Sequence, residues 1–272
     1  MGRIMLLFIG LVSLSACSEY SKLLKSDDYT KKYVKANEYF EAGKYGKSIP
    51  LLDQLREHYR YKDTIAYLLQ LSGKCYFENK EYDFATLFFD DYAENFPNGA
   101  YAEECAFKSL QCMYLIRYSY QLDQVDAYKT IEKIKIYTNK YPNSAYLAQC
   151  NEMLDGLRTN LKRKEVERTF QYYRIGDFRA AVVSAQNTMQ AYPDIDNIEE
   201  MEHMMVVAQY NYAINSIDKK KEERYKVMLE LANDYLRNHS NNVPSHNREV
   251  KNLVSNANEN LLKLKVKVKK RL

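Results

Sequence analysis

The chain has 272 residues and carries 40 Lys and Arg against 36 Asp and Glu, a net charge of +4. The two signs are interleaved along most of its length, which argues against a nucleic-acid-binding protein. Eight Gly, five Pro and no Trp, beside 26 Tyr, predict long helices whose seams are filled by bulky amphipathic rings.

The chain opens with Arg3, an apolar run from Ile4 to Val12, and Leu14-Ser15-Ala16-Cys17. The run is too short to cross a bilayer as a permanent helix. Charge, apolar run, small residues and cysteine occur in the order of a bacterial lipobox. A signal peptide over 1–16 is therefore expected, cut after Ala16, with lipid (palmitate among its chains) on Cys17. The alternative is an ordinary secretory signal in which Cys17 is incidental. One acyl chain holds a membrane only reversibly, and several hold it stably. Ser18 after the cysteine favours sorting to the outer membrane. Residues 17–28 are expected to form a lipidated tether.

From 29 to 240 the pattern is helical. Tyr33, Ala36, Tyr39 and Phe40 share a face, and Gly43 stops that helix. Ile49, Leu52, Leu55 and Tyr59 mark a second helix. Tyr67, Leu68, Leu71, Cys75 and Tyr76 mark a third, and Ala85, Phe88, Phe89 and Tyr92 a fourth. One phrase recurs: Tyr45 to Arg60, Tyr82 to Pro97 and Phe178 to Pro193, the second residue of each standing fifteen places after the first. Each follows a stop signal, Gly43-Lys44, Lys80-Glu81 or Gly176-Asp177. Small residues three places into each phrase, Ser48, Ala85 and Ala181, allow close helix approach. Leu52, Phe89 and Ala185 then face the next pair. Such recurrence predicts an all-α class, an α-solenoid of about five tetratricopeptide (TPR) hairpins.

The third hairpin is irregular. The polar connector Gln121–Asp126 separates its helices, and it ends at Tyr141-Pro142. Ala145 to Arg174 reads as one or two long helices. A Met-rich pair follows, from Ile198 to Ile217 and from Lys220 to Asn238, with its methionines expected in the core. Residues 241–272 are expected to hold a capping helix from about Arg248 to Lys263 and a basic tail. In that tail Leu264, Val266 and Val268 alternate with lysines. This spacing leaves open a strand added to a partner sheet, a layer on anionic headgroups, or a solubilising tail.

Catalytic patterns are missing: no phosphate loop, no nucleophile elbow, no His-Glu-x-x-His. His58, His203, His239 and His246 lack metal spacing. No enzyme activity, cofactor or metal is expected. Cys75, Cys105, Cys112 and Cys150 read as small core residues rather than disulfide partners. Cys105 and Cys112 sit two helical turns apart, out of bonding reach.

What remains is recognition. Aligning Ala36 with Gly73 as the small positions places Tyr33, Asn37, Phe40 and Glu41 on the inner face of the first repeat. It places Gln70, Lys74, Phe77 and Glu78 on that of the second. Rings for apolar side chains, with amides and charges for a backbone or terminus, suit an extended peptide.

The ordered motifs Gly43-Lys44-Tyr45, Asp123-Gln124, Lys140-Tyr141-Pro142-Asn143-Ser144-Ala145-Tyr146, Leu157 to Glu165, Tyr172 to Val183, and Tyr192-Pro193-Asp194 carry a resemblance. Together with the lipobox, over roughly 17–238, the chain resembles the BamD family of lipoproteins from the outer-membrane β-barrel assembly machinery. The resemblance implies a helical scaffold on the periplasmic face of the outer membrane. It implies late repeats holding the periplasmic domains of a BamA-like barrel protein, beside other assembly lipoproteins, and early repeats meeting nascent outer-membrane proteins. Another TPR lipoprotein, such as a pilotin for secretin assembly, is the alternative. Two departures stand out: Arg60 replaces the phrase-ending proline of the first repeat, and residues 241–272 exceed the family's usual end.

Overall fold

A computed structural model describes residues 19–116, 119–240 and 243–269, with side chains through 267. The expected signal segment and Cys17 lie outside the described residues. Every regular element among the described residues is a helix. Residues 19–25 form α1. Then follow α2 (Tyr29–Glu41), α3 (Tyr45–His58), α4 (Thr64–Glu78), α5 (Tyr82–Asn95), α6 (Ala102–Ile116) and α7 (Val125–Lys140). The series ends with α8 (Leu147–Arg174), α9 (Phe178–Ala191), α10 (Ile198–Ile214), α11 (Asp218–Asn238) and α12 (Pro244–Lys269). They fall into two compact units divided after Leu157.

In the first unit, α2/α3, α4/α5 and α6/α7 pair as helical hairpins, and consecutive hairpins pack through α3 on α4 and α5 on α6. The turn inside the first pair is a Schellman cap. Gly43 N–H donates to Phe40 O (2.9 Å) and Lys44 N–H to Tyr39 O (2.8 Å). The second pair repeats it, Lys80 to Phe77 (3.0 Å) and Glu81 to Tyr76 (2.9 Å). The cap requires a left-handed residue, supplied by Gly43 at φ 67° and by Lys80 at φ 63°. The aromatic that opens each second helix folds back on the first, Tyr45 on Phe40 at 5.7 Å and Tyr82 on Phe77 at 5.6 Å.

The small positions close the pairs. Ser48 is buried and its hydroxyl donates to Ala36 O at 2.8 Å. In the second pair Gly73 faces the Phe89 ring, where a Cβ would stand 2.6 Å from ring carbons. Leu52 and Phe89 fill the seams to the neighbouring pairs, and one apolar cluster joins α1 to α6. Residues 17–28 were expected as a tether, yet 19–25 are helical. Leu23 is only 7 % exposed within that cluster, because α1 carries apolar atoms the first pair leaves uncovered.

The irregular connector is ordered by Gln124. Its Nε2 donates to the carbonyls of Leu122 (3.0 Å), Ser119 (3.1 Å) and Asp123 (3.3 Å). The Asp123 carboxylate accepts the Val125 N–H at 3.0 Å, at the start of α7.

In the second unit, the rest of α8 pairs with α9, and α10 with α11. The α8–α9 turn is again a Schellman cap. Gly176 at φ 81° donates to Tyr173 (3.1 Å), and Asp177 to Tyr172 (3.0 Å). Buried hydroxyls join the pair: Thr169 meets Ser184 at 2.7 Å and Thr188 at 3.2 Å. Two of the quoted motifs also meet here. The Asp194 carboxylate pairs with Arg158 and Lys162, each at 3.2 Å. Those hydrogen bonds, Lys162 first, hold its carboxyl below the usual range. Met201, Met204 and Met205 are core, as expected, and Met228 of α11 is buried as well.

The chain end differs from expectation. α12 begins at Pro244, four residues before Arg248, and runs through the basic stretch to Lys269. Val250, Ala257, Leu261 and Leu264 continue one helical stripe onto α10 and α11. That stripe outweighs the three-residue alternation that suggested a strand or tail, because every turn of it removes apolar surface from water.

Candidate functional site

A line of contacts runs across α2, α4 and α6, the first helices of the three pairs in the first unit. On α2, the Asn37 side-chain amide donates to Tyr33 O at 2.8 Å, which aims its carbonyl outward. The Tyr67 hydroxyl from α4 donates to that Asn37 oxygen. The Tyr33 and Tyr67 rings lie 5.9 Å apart. Burial, followed by the neighbouring Tyr33 and Glu41, pushes the Tyr67 hydroxyl up from its ordinary value. A cavity of about 660 Å³ lies along Tyr33, Val34, Asn37 and Glu41.

Farther along, Lys74 pairs with Glu104 of α6 at 3.3 Å and stands 5.7 Å above the Tyr101 ring. Lys108 of α6 stands 4.5 Å above Phe77. The face therefore alternates rings with an amide and lysines. It holds apolar contact area and fixed polar groups side by side.

Of the residues read from the sequence, Tyr33, Asn37, Lys74 and Phe77 lie on this line. Phe40 is half-buried against Tyr45, and Glu41 and Glu78 are exposed. Gln70 is different: it is 4 % exposed, and its Nε2 is buried with no hydrogen-bond partner. The run Leu68 to Gly73 is buried on all sides because α4 is packed by helices on both flanks. Tyr67, three residues before Gln70, takes the place on this face. Tyr101, Glu104 and Lys108 were not singled out, because the third pair lacks the phrase that aligned the first two.

A second polar cluster lies in the second unit. His203 of α10 meets Glu249 of α12 at 3.1 Å, and His246 of α12 meets Glu199 of α10 at 3.1 Å. Tyr235 of α11 donates to Glu199, and His239 meets Glu202. Burial works to raise the Glu199 carboxyl, but the Tyr235 and His246 hydrogen bonds outweigh it and hold the group below its ordinary value. The first two pairs fasten α12 to α10, and the other two fasten α11 and the residue that follows it to α10.

Three solved structures are among those similar to this chain. They are the TPR domain of P58(IPK) at 14 % identity, covering 89 % of this chain and 68 % of that one with a TM-score of 0.40; a TPR repeats protein from Bacteroides fragilis at 11 % identity, covering 86 % and 99 % with a TM-score of 0.37; and the TPR2AB-domain:pHSP90 complex of yeast Sti1 at 14 % identity, covering 85 % and 98 % with a TM-score of 0.39. Scores this low carry no argument. No curated protein matches the chain. Residues 25–241, however, match the YfiO family, described as an outer membrane lipoprotein. The match begins inside α1, covers every helical pair and ends before α12. By that match the chain belongs to the YfiO family of outer membrane lipoproteins, which is the BamD family its motifs resemble.

Proposed function

We propose that this protein is a non-enzymatic scaffold of the β-barrel assembly machinery. In this reading it is lipidated at Cys17, sits on the outer membrane and faces the periplasm. The early repeats receive extended segments of nascent outer-membrane proteins along α2, α4 and α6. The late repeats bind the periplasmic domains of a BamA-like barrel protein, with other assembly lipoproteins nearby. No helix among the described residues is long and apolar enough to cross a membrane.

The observation that carries this reading is the family match over 25–241, joined to the face on which Tyr33, Asn37, Tyr67, Lys74 and Phe77 alternate ring, amide and charge. An extended peptide presents side chains on alternate faces and backbone groups between them, and such a surface serves both. Depletion of the protein is expected to lower many outer-membrane barrels together. Normal barrel levels with loss of pili or secretion would select a pilotin-like role instead.

A further inference from the structure

The packing of α1 on the first helical pair leaves a cavity of about 570 Å³. Tyr20 builds one wall. Its hydroxyl donates to Lys47 O at 3.0 Å, and its ring meets Tyr39 edge-on at 5.7 Å. The Lys47 ammonium stands 5.5 Å from the Tyr20 ring and 5.8 Å from the Tyr39 ring. Leu23 plugs the base in the core of the first unit.

The rim of this cavity is cationic. Five lysines line it against two carboxylates, Glu19 and Asp28. Asp28 is engaged already, because its side chain accepts the Lys31 N–H at 2.9 Å and caps α2. Lys35 is neutralised by Glu38 at 2.5 Å. Lys22, Lys31, Lys44 and Lys47 are exposed and have no ion-pair partner among the described residues. Four cations left unpaired around an aromatic wall attract an anion, and a phosphate is the anion that several ammonium groups satisfy together.

The chain itself says where that anion would come from. Glu19 is two residues beyond Cys17. A polypeptide reaches at most about 3.6 Å per residue, so the Cα of Glu19, at the rim, lies within roughly 7 Å of that of the acylated residue. That is close to the Debye length of about 8 Å at physiological salt, so a cationic rim beginning at Glu19 is near enough to the lipid-bearing residue for salt to screen its attraction to headgroups only in part.

We propose that this cavity holds the phosphate of an anionic phospholipid headgroup, giving the protein a second grip on the membrane beside its acyl chains. The proposal rests on lipidation at Cys17 for the source of the ligand. The two readings fail separately, since release of the Cys17→Ser protein from cell membranes tests acylation and the vesicle experiment below tests the cavity.

The experiment uses the full mature chain carrying Cys17→Ser, sedimented with vesicles of phosphatidylglycerol and phosphatidylcholine, or of phosphatidylcholine alone. Binding to the anionic vesicles is expected to be at least about tenfold tighter. The Lys22→Gln/Lys31→Gln/Lys44→Gln/Lys47→Gln protein is expected to lose that preference, and arginine at the same four positions to keep it. Glutamine at Lys263, Lys265, Lys269 and Lys270 is expected to leave it unchanged. Equal melting temperatures confirm that the exposed substitutions leave the fold intact. The proposal is overturned if the four-glutamine protein binds like its parent, or if only the α12 substitutions remove binding. It is also overturned if inorganic phosphate alone binds with the same lysine dependence while vesicles do not.

Discussion

His203 of α10 and His246 of α12 lie ring on ring, their centroids 3.9 Å apart and their planes 7° from parallel. Burial lowers the His203 pKa, and the adjacent His246 lowers it further; Glu249 and Glu199 only partly offset this. The groups around the pair are Glu199 and Glu202 on α10, Tyr235 on α11, His239 just after it, and Glu249 on α12. A histidine whose folded value lies below its unfolded value of about 6.5 binds fewer protons when folded. Its contribution is complete above that pH and is lost as pH falls toward the folded value. Glu199 acts in the same direction lower down, since its depressed carboxyl stabilises above its unfolded value and loses that effect in acid. The protection of α12 amides, taken relative to the intrinsic exchange rate at each pH, is therefore expected to fall between pH 7.5 and 5.5, and less so in His203→Gln. Protection that holds or rises as the pH falls would contradict the assignment.

Lys80 occupies a left-handed cap position that Gly43 and Gly176 fill elsewhere. A side chain there costs about 1 kcal/mol. Lys80→Gly is expected to raise the denaturation midpoint correspondingly. Gly43→Ala should lower stability by a similar amount, although a Cβ there meets nothing within 4 Å. If both substitutions are neutral under urea, the cap geometry is not what limits these turns.

Gly73 allows the Phe89 ring to lie against the α4 backbone. Phe89 is buried, so the ring has no free direction in which to yield. Gly73→Ala is expected to cost about 1–3 kcal/mol by overpacking. The Gly73→Ala/Phe89→Leu double substitution should cost less than the sum of its parts, as measured in a double-mutant cycle. Strict additivity would place the strain elsewhere.

Burial pushes the Cys75 thiol up to about 11, and the Cys105 and Cys112 thiols up to about 12, with Cys150 also raised. Thiolate is the reactive form. Thiol labelling at pH 8 should be slow for all four in the folded protein and rapid in urea. Rapid labelling without denaturant would show that the pairs open.

Asn37 links α2 to α4 through the Tyr67 hydroxyl. Asn37→Ala removes that acceptor on an exposed face, where a hydrogen bond nets about 0.5–1.5 kcal/mol. Peptides ending in the aromatic-rich terminus of an outer-membrane barrel should bind about three- to tenfold more weakly, with little change in melting temperature. Unchanged affinity would move the peptide site off this face.

Local punctuation was the most legible part of the fold. Gly43, Lys80 and Gly176 read as helix stops, and each sits in a Schellman cap. Ser48, Ala85 and Ala181 read as close contacts, and each is fully buried. These signals depend on backbone conformation and side-chain size within a few residues. Gln70 was misplaced because exposure depends on what covers a helix from outside, which its own spacing does not encode. The His203–His246 stack joins residues far apart in sequence, and only the docking of α12 brings them together. The basic stretch misled because three alternating residues are too short to set a period against the stripe from Val250 to Leu264.

Gln124 closes the third connector with one side-chain amide shared among three carbonyls. Loop closure costs only about 0.6 kcal/mol more for each doubling of length. A clasp at the end of the loop, rather than along it, makes that connector the place where the chain can gain or lose residues without disturbing α6 or α7. Changes in length there should be tolerated as long as the glutamine remains, and the same insertions within the Gly43 or Gly176 turns should not be.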